Sequence, residues 1–160
     1  MFRPLAGMQD QVSITLLFLA WVIGWVSLSL IFSRLSGWTT LVQMYPRGPA
    51  EDGQHWRFQS AVFRHHFYYR AVLTINADQQ GTTFSPLFLF RIGTAPFSVP
   101  WNEISSRETK WGVFTRAVEL RFKRTPGIPV LVSPRLAHKL EEPSAGQWRY
   151  ETTIGEKPNK

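Results

Sequence analysis

Residues 13–33, SITLLFLAWVIGWVSLSLIFS, are 21 consecutive positions with no charge and no proline. At about 1.5 Å of rise per residue, a helix over them is roughly 30 Å long, the thickness of a bilayer's hydrocarbon core. Phe18, Trp21, Trp25 and Phe32 spread bulk around such a helix and leave no polar face for water. A cleaved secretory leader has a shorter apolar region, about 7–15 residues, and a small-x-small cleavage site. This run ends instead in Ser33-Arg34-Leu35-Ser36, with no Ala-x-Ala pattern. The stretch therefore reads as one uncleaved transmembrane helix, preceded by a tail over residues 1–12. Gly24, with Ser27 three residues on, is a small-residue pair at which a partner helix can dock closely. The competing reading is a helix that faces lipid all round.

The span is expected to make the chain a single-pass membrane protein, with the inner (plasma) membrane as its expected location. Arg3, partly offset by Asp10, lies before it, and Arg34 and Arg47 follow it. Counting basic residues near the two ends favours a cytoplasmic C-terminal domain by one residue. The chain has no cysteine, which fits either side of the membrane.

About 125 residues follow the span, enough for one domain with a core of its own. The formal charge of +7 falls almost wholly on them. Residues 37–46 come first. Trp38, Leu41, Val42 and Tyr45 recur at i, i+3, i+4 and i+7, one apolar face of a short helix that Pro46 stops. Just past a span, that face is expected at the membrane interface, where Trp and Tyr sit at headgroup level. Its competing reading packs it on the domain that follows.

From 54 to 142 the chain reads as a mainly β domain, rich in aromatic and β-branched residues and punctuated by Gly and Pro. Strands are expected at 56–63, 66–76, 82–85, 88–92, 97–104, 113–122 and 128–132. In the second, Phe67, Tyr69, Ala71, Leu73 and Ile75 share the core face. In the first, Trp56, Phe58, Ser60 and Val62 share one side. A helix over 134–140 follows, with Ser133 as N-cap, Pro134 at its first position and basic residues near its end. Residues 143–160 read as a polar tail, with Trp148 and Tyr150 the only hint that part of it docks.

Residues that could carry chemistry are sparse. His65-His66, with His55 ten residues earlier, lacks any nearby Cys, Asp or Glu at ligand spacing, so no metal site is expected. No serine sits in a G-x-S-x-G elbow, and no glycine cluster forms a P-loop or dinucleotide fingerprint. Glu103 reads as a solvated or ion-paired residue and Asp78 as a turn former. No catalytic residue and no cofactor is assigned. The densest basic region, Arg116, Arg121, Lys123 and Arg124 with Arg107 and Lys110 nearby, is a candidate contact for anionic lipid or an acidic partner subunit. A solvated strand face is the bland alternative. Nucleic acid is not expected as a partner, because no RNA-binding motif accompanies these charges. Phe84, Leu87, Phe88, Phe90 and Phe97 crowd around Pro86, as core or as a surface patch that a partner covers.

Seven short strands, one terminal helix and three local motifs carry a resemblance. The motifs are Gly81-Thr82-Thr83-Phe84-Ser85, then Val99-Pro100-Trp101-Asn102-Glu103-Ile104, and Gly37-Trp38 with Leu41 and Tyr45-Pro46 before the domain. Over residues 37–142 the chain resembles bacterial single-span membrane proteins with a pleckstrin-homology-like domain, the superfold that includes GRAM-type relatives. The resemblance implies a strongly bent antiparallel sheet, a partly open barrel whose end the C-terminal helix covers. Members of the superfold bind lipid headgroups, peptides or other proteins, or brace assemblies. The loop joining the first two strands, with Arg64, His65 and His66, is too thinly basic for a phosphoinositide site of the eukaryotic type. The expected role is a non-catalytic accessory or scaffold subunit of a larger membrane complex, a respiratory or photosynthetic assembly being one candidate host. The alternative is a membrane-tethered module that binds lipid or peptide.

Overall fold

The computed structural model of the chain describes residues 5–46, 48, 53–91, 94–111 and 115–150. Helix α1 (Leu5–Leu35) opens the fold, and its portion Gln11–Leu35 is long and apolar enough to cross a membrane. The helix starts well before residue 13, because residues 5–12 hold no proline and a single glycine, Gly7, is tolerated among good helix formers. Residues 5–12 of the expected tail therefore belong to the helix, and residues 1–4 lie outside the described set. After Leu35 the chain turns through Gly37, whose φ of +82° lies in the left-handed region. A Cβ there would also stand 2.8 Å from Ile128 Cδ1, so the turn requires glycine. Helix α2 (Trp38–Met44) follows.

Seven strands then form one antiparallel sheet: β1 (Gln54–Phe63), β2 (Phe67–Ala77), β3 (Gly81–Pro86), β4 (Phe97–Pro100), β5 (Ile104–Trp111), β6 (Thr115–Phe122) and β7 (Thr125–Val132). Their order is β4-β3-β2-β1-β7-β6-β5, with β1 central and paired to both β2 and β7. The sheet curls into a half-barrel around Phe63, Leu73, Ile75, Phe84, Phe97, Val118, Leu120 and Phe122, all buried. Helix α3 (Pro134–Glu141) adds Leu136, Ala137 and Leu140 to that core. Its Ser133 N-cap accepts the Leu136 N–H at 3.2 Å. The architecture expected from the sequence, an N-terminal apolar helix, a bent seven-stranded antiparallel sheet and a C-terminal helix, is the one found.

Several local readings change. Trp38, Leu41 and Tyr45, assigned to the membrane interface, are buried in the domain core, and Val42 packs against it. Trp38 meets Phe63, Tyr69 and Phe97 with ring centroids 5.0–5.3 Å apart. The apolar face of α2 is satisfied by the sheet, which buries Trp38, Leu41 and Tyr45 and leaves only Val42 partly exposed.

In β1 and β2 the strict alternation breaks. Phe58 and Ala71 both have positive φ, and the register shifts on either side of Gln59. Ser60 Oγ accepts the Ala71 N–H across this irregularity at 2.8 Å. Phe58 and Ala71 turn outward as a result, and Ala61 and Phe63 become the inward positions of β1.

The expected strand at 88–92 is a 3₁₀ turn over Phe88–Phe90. The strand expected at 97–104 breaks at a second such turn, Trp101–Glu103, and Ile104 begins the unforeseen edge strand β5. Residues 143–150 are not a free tail. Trp148 is buried and stacks on Trp101 at 5.6 Å, and Gln147 Nε2 donates to Gln79 O at 3.0 Å. Residues 151–160 lie outside the described set.

Candidate functional site

The end of α1 is built into the domain. Phe32 sets its ring edge-on to Phe67 (5.2 Å) and Tyr69 (5.4 Å) of β2. Ser36, fully buried, shares a hydrogen bond with Tyr69 Oη at 3.1 Å. Burial pushes the Tyr69 hydroxyl above its ordinary pKa, while the Ser36 bond works the other way. Arg64, at the tip of the β1–β2 hairpin, reaches the last carbonyl of the helix, donating to Leu35 O at 3.4 Å. Helix end, α2 and hairpin tip thus form one packed joint.

Beside it lies a buried carboxylate, Glu119, with its arginines. Glu119 stands on the outward side of β6 yet is only 3% exposed. His65 from the hairpin tip (3.5 Å), Arg107 from β5 (3.9 Å) and Arg121, in close ion-pair contact, cover it. Burial alone would raise its pKa, but the Arg121 bond, the charges of Arg121 and Arg107 and the His65 bond outweigh it and hold the carboxyl below its ordinary value.

A second ion pair closes the other side of the sheet. Arg124, in the β6–β7 turn, grips Glu103 with Nε at 2.9 Å from Oε2 and Nη2 at 2.5 Å from Oε1. Its Nη1 donates to Met44 O at 3.2 Å, and its guanidinium lies 5.2 Å from the centre of the Tyr45 ring. The Arg124 N–H donates to Tyr45 Oη at 2.9 Å. The Arg124 bond holds the Glu103 carboxyl below its usual range against the pull of burial, with Tyr45 and Lys123 adding to it. This cluster clamps the C-terminal end of α2 to the sheet.

The four basic residues expected to make one contact differ in their surroundings. Arg121 is engaged with Glu119 and Arg124 with Glu103, while all four side chains remain exposed. Arg116 and Arg121 lie five residues apart on β6, about 16 Å along the strand. Arg116 instead lines an open groove with Tyr68, Arg70, Ala117 and Leu131 on the sheet's surface. Gly24 and Ser27 lie exposed on α1, and among the described residues no side chain comes within 4 Å of where a Cβ on Gly24 would stand. His65 joins the Glu119 cluster, and among the described residues no three His, Asp or Glu side chains gather as metal ligands.

The Glu119 cluster and the helix-end joint escaped the sequence because both are long-range. The one local signal was a lone acid among the basic residues of β6, placed on an outward position that a neighbouring hairpin tip covers. No protein-family model, no curated protein and no solved structure matches this chain.

Proposed function

We propose that the chain is a single-span protein of the inner (plasma) membrane whose β domain, of pleckstrin-homology-like architecture, stands on the cytoplasmic face as a non-catalytic accessory or scaffold subunit of a larger membrane complex. The observation that carries this reading is the joint between helix and domain. A tethered enzyme or sensor needs only a flexible linker. Here two residues separate α1 from α2, α2 is part of the domain core, and Tyr69, Phe67 and Arg64 of the β1–β2 hairpin hold the helix end. Such a bracket sets the angle between a membrane helix and an extramembrane surface, which is what bracing an assembly demands. The two carboxylates of lowered pKa are each engaged with arginine, an arrangement suited to structure and not to proton transfer.

The exposed apolar faces of α1, with Ile14, Leu17 and Trp21 each more than 60% exposed, offer docking area to neighbouring helices, and the Gly24–Ser27 side is the place of closest approach. Gentle-detergent purification of the full-length chain from its native membrane, followed by mass spectrometry, tests the reading. A companion at fixed stoichiometry supports it, and a clean monomer from the mildest extraction overturns it.

One observation favours a lipid-binding module instead. Arg34 and Arg64 are both exposed where α1 ends, the level at which anionic headgroups would lie. A lipid reader predicts that the domain binds anionic vesicles and releases them as salt rises.

A further inference from the structure

The phenylalanine-rich segment after β3 runs back along α1. Leu87 N–H donates to Val72 O at 2.8 Å, which fixes the start of the segment. The turn then closes on itself, Phe90 N–H to Leu87 O at 2.8 Å and Arg91 N–H to Phe88 O at 3.2 Å. Trp38 ties down the return, its Nε1–H donating to Ala95 O at 2.8 Å. Arg91 folds under the turn, with Nε donating to Pro86 O at 3.2 Å. Held at both ends, the turn sets Phe90 against Trp25 of α1, 6.1 Å between ring centroids, and directs Phe88 outward at 81% exposure.

The level of this contact matters. Trp25 lies ten residues before the last residue of α1, about 15 Å up the helix axis, and about 12 Å inside the uncharged stretch that ends at Ser33. On one side of the helix Val22, Val26, Ser29 and Ser33 are less exposed than the residues around them. A domain loop thus lies beside the apolar helix well above the point where the helix ends. Residues 87–90 carry no charge, and the Leu87 and Phe88 carbonyls accept the Phe90 and Arg91 N–H groups within the turn, which lowers the cost of placing it in a medium without water. Phe88 on a pinned turn cannot withdraw from water by folding back.

We propose that residues 87–90 are a membrane-inserted turn, which places Phe88, flanked by Leu87 and Phe90, among the acyl chains of the leaflet in which α1 ends. The occupant of this surface is bilayer lipid, because the turn is continuous through Trp25 with the apolar surface of the helix. The inference rests on reading α1 as a membrane span. Together, span and turn give the domain two points of hold on the bilayer, which fixes its tilt as well as its distance. Arg91, exposed and turned back toward β3, keeps its charge out of the inserted segment.

The chain has no cysteine, so single-cysteine labelling of the full-length protein tests this directly. Phe88→Cys, Leu17→Cys in α1 and Gln80→Cys in the β2–β3 turn each carry a polarity-sensitive fluorophore in phosphatidylcholine vesicles. Quenching is by nitroxide-bearing lipid or by aqueous iodide. The Phe88 side chain is so exposed that its replacement removes little packing. The expected result is a blue-shifted F88C probe that loses intensity to nitroxide lipid as L17C does, with Q80C losing intensity to iodide alone. If L17C is quenched by lipid and F88C only by iodide, the inserted turn is wrong and the span stands. If F88C is shielded from both quenchers, a second copy of the chain covers it and the proposal is likewise overturned. If L17C is quenched by iodide and not by lipid, the span fails and the inserted turn falls with it.

Discussion

Glu119 is a carboxylate that the fold has buried on the outside of its own sheet. It is stable there because two arginines and a histidine, from three different segments, converge on it. Its folded-state pKa is depressed below its ordinary value of 4.5, so it favours the folded state at every pH above that value. The contribution is lost as pH falls through the folded pKa, where the native carboxylate takes up its proton too. Glu119→Gln is therefore expected to lower stability at neutral pH by on the order of 1–3 kcal/mol, the worth of hydrogen bonds to a charged group. The gap between wild type and variant should narrow as pH falls below about 5. Thermal melts of both proteins across that range check this, and a gap that stays constant with pH would show that ionisation of Glu119 is not its source. A second residue, Gly37, fails differently. Gly37→Ala must hold a Cβ at φ +82° and against Ile128, which costs about 1–2 kcal/mol for the left-handed backbone alone. The variant's melting temperature should fall without any change in the acid dependence.

The elements show where sequence periodicity is informative and where it stops. Residues 66–76 read correctly as a strand with Tyr69, Leu73 and Ile75 inward, because their alternation reflects one buried face. Phe58 and Ala71 broke the pattern through an irregularity between β1 and β2, a property of two strands together that neither announces alone. Strand β5 (ISSRETKW) is an edge with little to bury, so its sequence looks like a loop. The run Phe88-Leu89-Phe90 looks like a buried strand and is a turn, since apolar character does not say whether the covering partner is protein or lipid. At α2 the heptad-like face was visible, but its destination was not; Trp38 turned to Phe63 and Phe97, which lie far along the chain. Trp148 was the same kind of signal, a lone aromatic in a polar stretch. Its stack on Trp101 makes residues 143–150 part of the domain, so Trp148→Ala should destabilise it by about 3–5 kcal/mol, as truncation of a buried aromatic does. Limited proteolysis should then cut the variant after Lys139 and beyond at protease levels that leave the wild-type protein whole.

At the scale of the whole molecule, helix and domain share a core, and this determines how the protein can be divided. Trp38 and Leu41 are fully buried and Tyr45 is 2% exposed, so α2 fills the half-barrel as a strand residue would. Arg124 then fastens the end of α2 through Met44 O and the Tyr45 ring. Removing three large buried side chains forfeits roughly 5–9 kcal/mol of apolar burial. A domain of this size has only about 5–15 kcal/mol of net stability to lose. A fragment of residues 36–150 is therefore expected to fold in water, whereas one of residues 53–150, which keeps every strand, should not. Chemical-shift dispersion and a cooperative thermal melt distinguish the two. If residues 53–150 melt cooperatively at the same temperature as residues 36–150, then α2 is an appendage of the sheet. The joint would then be loose, and a bracket that transmits the angle of the membrane helix to the domain could not work.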